Sequence, residues 1–295
     1  MKEQLIRYYK SIPYTGTKNK LLDFIVPKIE EANPTVLISP FCGSLAVEMN
    51  VKAEIYYLND KLSQLINTYK SIKQGDYTGD IMIAWIKRLI KTFGLSNISK
   101  DNYDMLKGHY NRLTHKEMYP EYFLTIMLHS FNNQIRFNKK GEFNLPFGKR
   151  TLNESNEIGV RNLCDFIVNN RTNFTNWSFE EFIYIATQYV TPDRETVPLY
   201  YLDPPYNNTT ATYNENNWND KQEQSLYYSI DRINFYGNKF AMSNVLEHNG
   251  VENKMLKRYI EERGFKYDVI DYNYGNSSYN KKNRSKSVEC IVYNY

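Results

Sequence analysis

A chain of 295 residues with 41% hydrophobic and 24% charged side chains suits one large α/β domain or a core with a medium insertion, and its composition is globular and excludes a disordered protein. The net charge of +4 is too small to mark a partner, but two windows concentrate it. Residues 131–150 carry Arg136, Lys139, Lys140, Lys149 and Arg150 against Glu142 alone, and 273–287 carry Lys281, Lys282, Arg284 and Lys286 with no acid. Both windows are rich in Asn and aromatics, as loops that contact polyanions are; two solvated loops are the plainer alternative. Cys42, Cys164 and Cys290 are odd in number and widely spaced, which argues against a disulfide framework or a zinc site and for a reducing compartment. His109, His115, His129 and His248 show no metal-ligand spacing. With no signal-peptide h-region and no membrane-length apolar run, a soluble cytoplasmic protein without metal is expected.

In chain order, Pro13 to Lys18 forms a turn that feeds an apolar helical face at Leu21, Leu22, Phe24, Ile25 and Ile29, with Pro27 expected to distort or shorten the helix. Val36-Leu37-Ile38 reads as a short strand. It is followed by a glycine-bearing turn, Ser39 to Ser44, and an amphipathic stretch through Val47, the strand, turn and helix order that opens a Rossmann-like ligand crevice. A second strand, Ile55 to Leu58, ends at Asn59-Asp60, and an apolar helical face follows from Leu62 to Ile72. An acid at that point suits a ribose hydroxyl, or the cap of the helix, or both.

From 74 to 170 the β-α rhythm breaks. Helices are predicted over 81–93 and 121–131, Tyr103 to Tyr119 is undecided, and Arg136 to Gly148 reads as a hairpin turning at Lys140-Gly141. This stretch is an insertion between two halves of a catalytic sheet, 1–73 and 171–295. The sheet resumes at Phe174, and Trp177-Ser178-Phe179 precedes a helix over 180–189. Asn207 to Asp220 is a polar loop, 240–243 a strand, and 251–263 a helix stopped by Gly264. Lys266 to Tyr274 and Ser287 to Tyr295 alternate as two paired strands around the basic loop 275–286.

The most informative stretch is Val197 to Tyr206. A buried, β-prone run ends abruptly in Asp203-Pro204-Pro205-Tyr206, so the strand stops and delivers a carboxylate to a sheet edge. Neither proline has an N–H, and their carbonyls are available to accept hydrogen bonds from a ligand. A carboxylate, a carbonyl and an aromatic face together suit the exocyclic amino group of a base that stacks on Tyr206. A proline turn capped by Asp203 is the alternative for the bare motif.

Taken together, these motifs resemble the Dam-type DNA adenine-N6 methyltransferases, the D12 class or alpha group. Tyr14-Thr15-Gly16-Thr17-Lys18 is similar to that family's Trp-Ala-Gly-Gly-Lys, and Pro40-Phe41-Cys42-Gly43-Ser44 to its Pro-Phe-x-Gly-Ser-Gly. Asn59-Asp60 is similar to its acidic cofactor motif, Arg136 through Gly148 to its recognition hairpin, Asp203-Pro204-Pro205-Tyr206 to its catalytic motif, and Asn276 to Arg284 to its closing segment. Tyr14, Thr17, Ser39 and Leu45 depart from the pattern, Leu45 replacing the second glycine of the cofactor turn.

The resemblance implies an α/β fold: a Rossmann-like S-adenosylmethionine-dependent methyltransferase sheet (1–73 and 171–295) with an inserted, mainly helical target-recognition domain (74–170) that carries a β-hairpin. It implies methyl transfer from S-adenosylmethionine to N6 of a flipped adenine in duplex DNA, within GATC, with no metal, no membrane and no required oligomer. Catalysis falls to Asp203, Pro204 and Tyr206. Cofactor binding falls to Tyr14, Lys18, Phe41, Gly43, Asp60, Phe179 and Asp203. DNA contacts fall to Arg136, Asn138, Lys139, Lys140, Asn144, Lys149, Arg150, Lys281, Lys282 and Arg284.

Overall fold

A computed structural model describes residues 9–190, 192–193, 195–206, 218–270 and 287–295. In chain order the elements are α1 (Leu22–Glu30), β1 (Val36–Ser39), β2 (Ile55–Asn59), α2 (Ser63–Gln74), α3 (Gly79–Thr92), α4 (Lys100–Arg112), α5 (Pro120–His129), α6 (Glu154–Asn169), β3 (Thr172–Thr175), α7 (Phe179–Tyr189), β4 (Pro198–Leu202), α8 (Asp220–Phe235), β5 (Lys239–His248), β6 (Val251–Glu252), α9 (Lys254–Arg263), β7 (Lys266–Ile270) and β8 (Ser287–Tyr293). They fall into two compact units. A sheet unit comprises Leu21–Cys42, Val51–Lys61 and Trp177–Tyr295, and a helical unit comprises Met1–Lys20, Gly43–Asn50 and Leu62–Asn176.

In the sheet unit the strands run β2-β1-β4-β5-β8-β7, with β6 paired to β5. The β1–β2, β1–β4 and β4–β5 pairs are parallel, and β8 runs antiparallel to both β5 and β7. This is a mixed α/β fold with a mostly parallel central sheet, as expected of a Rossmann-like methyltransferase. All residues of β1 and β4 are buried, which is why both read as unbroken apolar runs and not as alternating ones. Pro198 is tolerated because it is the first residue of its strand. Against Ile38, Tyr200, Leu202 and Phe240 pack Phe182 and Ile183 of α7, Leu226 and Ile230 of α8, and Leu256 and Ile260 of α9. Gly264 ends α9 in the left-handed conformation, φ +64°, and Lys266 onward pairs with β8 as the alternation predicted.

Two expectations need correction. Pro27 does not shorten α1, which continues from Leu22 to Glu30 through it. The missing N–H costs one helical bond, and burial of Leu22, Ile25, Val26 and Ile29 outweighs that cost. Nor does an α-helix follow the glycine turn. Gly43 and Leu45 both take left-handed backbone, φ +44° and +59°, which an α-helix of L-residues cannot continue. Only a single 3₁₀ turn, Glu48–Asn50, forms there.

The helical unit is built on α3, which packs on α5 and α6. Helix α4 is capped by Ser99 and α6 by Asn153, each side chain accepting a backbone N–H three residues on. At Gly159, inside α6, a Cβ would lie 2.6 Å from the backbone oxygen of Ser11, so only glycine admits the segment at Ser11 this close. No helix among the described residues is long and apolar enough to cross a membrane.

Exchanging glycine for alanine inside a helix ordinarily gains about 1 kcal/mol. At Gly159 the backbone collision should reverse the sign, with an overpacking cost of about 1–3 kcal/mol. Urea unfolding of Gly159→Ala is expected to give a lower midpoint than the wild type, and a higher midpoint would show that the Ser11 segment moves away freely.

Candidate active site and nucleic-acid interface

In the sheet unit the chemistry-bearing residues collect at one edge. Ile38 of β1 is in register with Tyr200 of β4, so Phe41 and Asp203, each three residues further on, leave the same end of neighbouring parallel strands. The chain order reverses between these strands, and such a switch point leaves a crevice at their carboxyl ends. Pro204 is buried and Asp203, Pro205 and Tyr206 are partly so. The Tyr206 hydroxyl donates to Asp203 Oδ1 at 3.5 Å. Burial, with Asp203 and Glu289 nearby, holds that phenol well above its ordinary range, so it remains a neutral donor at any pH of interest.

The turn after β1 is held by a residue whose part the sequence did not disclose. Asn59, buried at the end of β2, donates its amide to the carbonyl oxygens of Pro40 (3.1 Å) and Trp177 (3.2 Å), and accepts from the Trp177 N–H at 2.9 Å. Its own carbonyl accepts the Cys42 N–H at 2.8 Å. One residue, through side chain and backbone, thus fixes both the Pro40–Cys42 turn and the approach to α7, whose first residue is Phe179. Phe179 and Phe41 meet with ring centroids 5.2 Å apart, and Trp218 packs on both, at 5.6 and 5.9 Å. The indole N–H of Trp218 donates to the buried Glu223 at 2.5 Å, and the Tyr227 hydroxyl donates to the other oxygen of that carboxylate at 2.7 Å. Burial raises the Glu223 pKa from 4.5, partly opposed by these hydrogen bonds. Asp60 is half-buried directly after Asn59.

In the helical unit, Tyr14 to Thr17 closes a turn through a 3.2 Å bond from the Thr17 N–H to the Tyr14 carbonyl, with Gly16 at φ +79°. The Lys18 amine, 7% exposed, donates to the Gly16 carbonyl at 3.3 Å. The hydroxyls of Ser11, Thr17 and Ser44 lie 3.1–3.3 Å from one another, so Thr17, a departure from the family pattern, ties this turn to the Gly43-Ser44 turn. Tyr14 also sits 3.4 Å from where a Gly43 side chain would begin, and the Tyr69 hydroxyl donates to the Gly43 carbonyl at 2.7 Å. Leu45 is fully buried. It keeps the left-handed shape a glycine would give at a strain of about 1–2 kcal/mol, offset by burial of a leucine side chain worth about 1.5–3 kcal/mol.

The hairpin is present as two isolated bridges, Ser130 with Phe147 and Phe137 with Phe143. Its reversal runs from Asn138 to Gly141, where the Gly141 N–H donates to the Asn138 carbonyl at 2.8 Å and Gly141 has φ +72°. Asn138 shapes this turn: its side-chain oxygen accepts the N–H groups of Lys140 and Glu142, and its amide donates to the Glu142 carboxylate at 2.7 Å. Asn111 of α4 grips Phe143 through both its backbone N–H and carbonyl, which seats the hairpin on the helices. On the exposed side the Arg136 guanidinium donates to the Asn144 side-chain oxygen at 2.8 Å and to its carbonyl at 3.2 Å. Lys139, Lys140 and Lys149 are exposed, and Arg150 donates to the buried Asn133 at 2.8 Å.

Asp203, Pro204, Tyr206, Phe41, Phe179 and Asp60 therefore lie in the sheet unit, Tyr14, Lys18 and Gly43 in the helical unit, and Arg136 through Arg150 on and beside the hairpin of that unit. Lys281, Lys282 and Arg284 lie outside the described residues. Trp218 and Glu223 stand in no recognised motif. In the Asn59-Asp60 pair the acid is the residue with an evident ligand chemistry, and Trp218 stands in a polar stretch, where an isolated tryptophan five residues before an acid at the start of an apolar helical pattern is the available signal.

The sequence model for D12 class N6 adenine-specific DNA methyltransferases matches residues 14–276, and the chain belongs to that family. Among individual proteins it is 33% identical to the modification methylase StsI of Streptococcus sanguinis over 98% of this chain and 43% of that one. It is 32% identical, over the same shares, to the type II methyltransferase M.FokI of Planomicrobium okeanokoites. A DNA adenine methylase of retron Ec67 from Escherichia coli is 26% identical over 70% of this chain and 68% of its own length. The chain spans less than half the length of the first two relatives.

The raised Glu223 pKa makes a pH prediction. A carboxyl whose folded pKa lies above its unfolded value stabilises fully below the unfolded pKa, near 4.5, and loses that contribution as pH rises through the folded value. Glu223→Gln has no proton to lose. In thermal melts from pH 4 to 7 the variant should gain on the wild type as pH rises, whereas a constant difference would mean that the carboxyl titrates as in the unfolded chain.

Proposed function

We propose that this chain is a site-specific adenine-N6 methyltransferase of duplex DNA that uses S-adenosylmethionine, acts in the cytoplasm, flips its target adenine, and recognises GATC. The observation that carries the reading is the sheet edge at which a carboxylate, two prolines and an aromatic follow β4 directly beside the Phe41 turn. Membership of the family supports the reaction, and the names of the modification methylases and DNA adenine methylases to which the chain is similar support DNA as substrate and a restriction-modification setting.

S-adenosylmethionine supplies, when bound, an activated methyl group on a sulfonium. The residues of the sheet unit suit such a ligand: packed aromatic rings for a purine and an acid after β2 for a ribose. Phe41, Phe179, Asp60 and Asp203 of the sheet unit are the residues assigned to hold it. Adenine N6 is a poor nucleophile because its lone pair is shared with the ring. Asp203 and the Pro204 carbonyl accept its two N–H bonds, favouring a pyramidal nitrogen and stabilising the positive charge that grows on it. Tyr206 stacks on the extruded base and offsets part of a flipping cost of a few kcal/mol. The 3.5 Å bond from Tyr206 to Asp203 orients the carboxylate for this task.

Within the 74–170 region, taken as the target-recognition domain, Arg136 is the base reader. Two of its five N–H donors engage Asn144, which fixes the guanidinium plane for a bidentate guanine contact. Asn138 serves the shape of the turn, and Lys139, Lys140, Lys149 and Arg150, with Lys281, Lys282 and Arg284, meet phosphates.

Asp203→Ala should abolish methyl transfer and leave folding and most DNA affinity intact. Near wild-type methylation of DNA by this variant would remove the catalytic assignment. Arg136→Ala should lose discrimination between a GATC duplex and its single-base variants, at about 1–3 kcal/mol per lost base contact. Lys139→Ala should weaken binding to all duplexes alike and lower the salt dependence by about one ion. Equal methylation of all duplexes by the wild type would sink the GATC assignment, and unaltered discrimination by Arg136→Ala would exclude that residue as the reader.

A further inference from the structure

We propose that Trp218 is a third aromatic wall for the cofactor's purine alongside Phe41 and Phe179, and that Glu223 is the positioning residue that holds it there. The inference rests on the S-adenosylmethionine reading above and deepens it, since no motif assigns either residue.

Three observations converge on it. Trp218 contacts both rings already assigned to the cofactor, edge-on to Phe41 with 77° between planes and tilted 42° to Phe179, while part of its surface remains accessible. Its orientation is determined from behind. The Glu223 carboxylate is 1% exposed and accepts the indole N–H on one oxygen and the Tyr227 hydroxyl on the other. Tyr227 in turn stacks on Tyr259 at 4.1 Å, within 5° of parallel. An acid this deep costs several kcal/mol to bury when ionised, a cost out of proportion to capping one helix. Asn219 already caps α8 with a complete capping box, so Glu223 is not needed for that purpose.

The placement also links the two ends of the reaction. Leu202 of β4 is in register with Met242 of β5, so Asn244 lies level with Pro204, and the Asn244 side chain faces Glu223. Glu223 therefore stands behind the aromatic cluster and against β5, the strand next to the one that carries the catalytic motif. Anchoring Trp218 from this point places a wide, rigid ring at the crevice at little conformational cost, since its torsions are set before the ligand arrives.

The test uses the full chain and S-adenosylmethionine itself. Calorimetry on the wild type comes first: no binding would overturn the cofactor reading and this inference with it. Given wild-type binding, Trp218→Ala should raise the Kd and the KM for the cofactor about tenfold or more while kcat stays within about threefold, and Trp218→Phe should recover most of the loss. Glu223→Gln should move the cofactor KM in the same direction and by less. In a variant with Trp85→Phe and Trp177→Phe, leaving Trp218 as the sole indole, cofactor should change the tryptophan emission. An unchanged Kd in Trp218→Ala, or an unchanged emission, would overturn the placement of Trp218 and leave the methyltransferase reading standing. An unchanged cofactor KM in Glu223→Gln would remove Glu223 from the positioning role.

Discussion

The constraint on which the rest depends is the parallel pairing of β1 with β4. The two strands are about 160 residues apart in sequence, so bringing them together costs roughly 4–5 kcal/mol in loop closure. The pairing can bear this because every residue of both strands is buried. Once Ile38 is opposite Tyr200, the positions of Phe41 and Asp203 follow without further choice. A slip by one residue would turn the side chains of a whole strand to the other face of the sheet. It would also carry the Asp-Pro-Pro-Tyr segment out of step with the turn after β1. The meeting of Phe41 and Asp203 at one end of the sheet is in this sense a consequence of register.

Around that register the site is held by polar side chains that are themselves buried. Asn59 satisfies three backbone groups of the Pro40 and Trp177 segments, a job that no apolar residue could do and that water could do only loosely. In the helical unit the hydroxyls of Ser11, Thr17 and Ser44 bond to one another and so tie two turns together. A functional crevice needs irregular backbone at strand ends, and irregular backbone leaves N–H and C=O groups that regular structure would have paired. The price is a set of buried polar residues whose identity depends on the loops they serve.

The hairpin follows a different logic. It has almost no regular strand structure, yet Asn111 grips Phe143, Phe137 stacks on Phe123, and the Tyr103 hydroxyl donates to the Leu145 carbonyl. Aromatic packing on one side leaves the other free to carry Arg136, Asn144 and the lysines. Rigidity beneath and charge above suit a surface that contacts an ordered polyanion, where a floppy hairpin would lose binding energy to ordering.

By itself the sequence determined the parallel strands, the acid and prolines at the end of β4, the hairpin turn and the stop at Gly264, because each rests on local chemistry: apolar runs, missing N–H groups and positive φ. The helices α4, α6 and α8 were not drawn from it, although Val160, Leu163, Cys164 and Ile167 in α6, and Leu226, Tyr227, Ile230 and Ile233 in α8, do recur at helical spacing. Their faces are diluted by polar neighbours, and only packing reveals which side turns inward. Tertiary structure alone decided that Leu45 would adopt a glycine's backbone, that Asn59 and not only Asp60 would matter at the end of β2, and that Trp218 would meet Phe41 and Phe179. The physical reason is common to all three. What each residue does depends on groups brought to it from distant parts of the chain, and nothing in its own neighbourhood records their arrival.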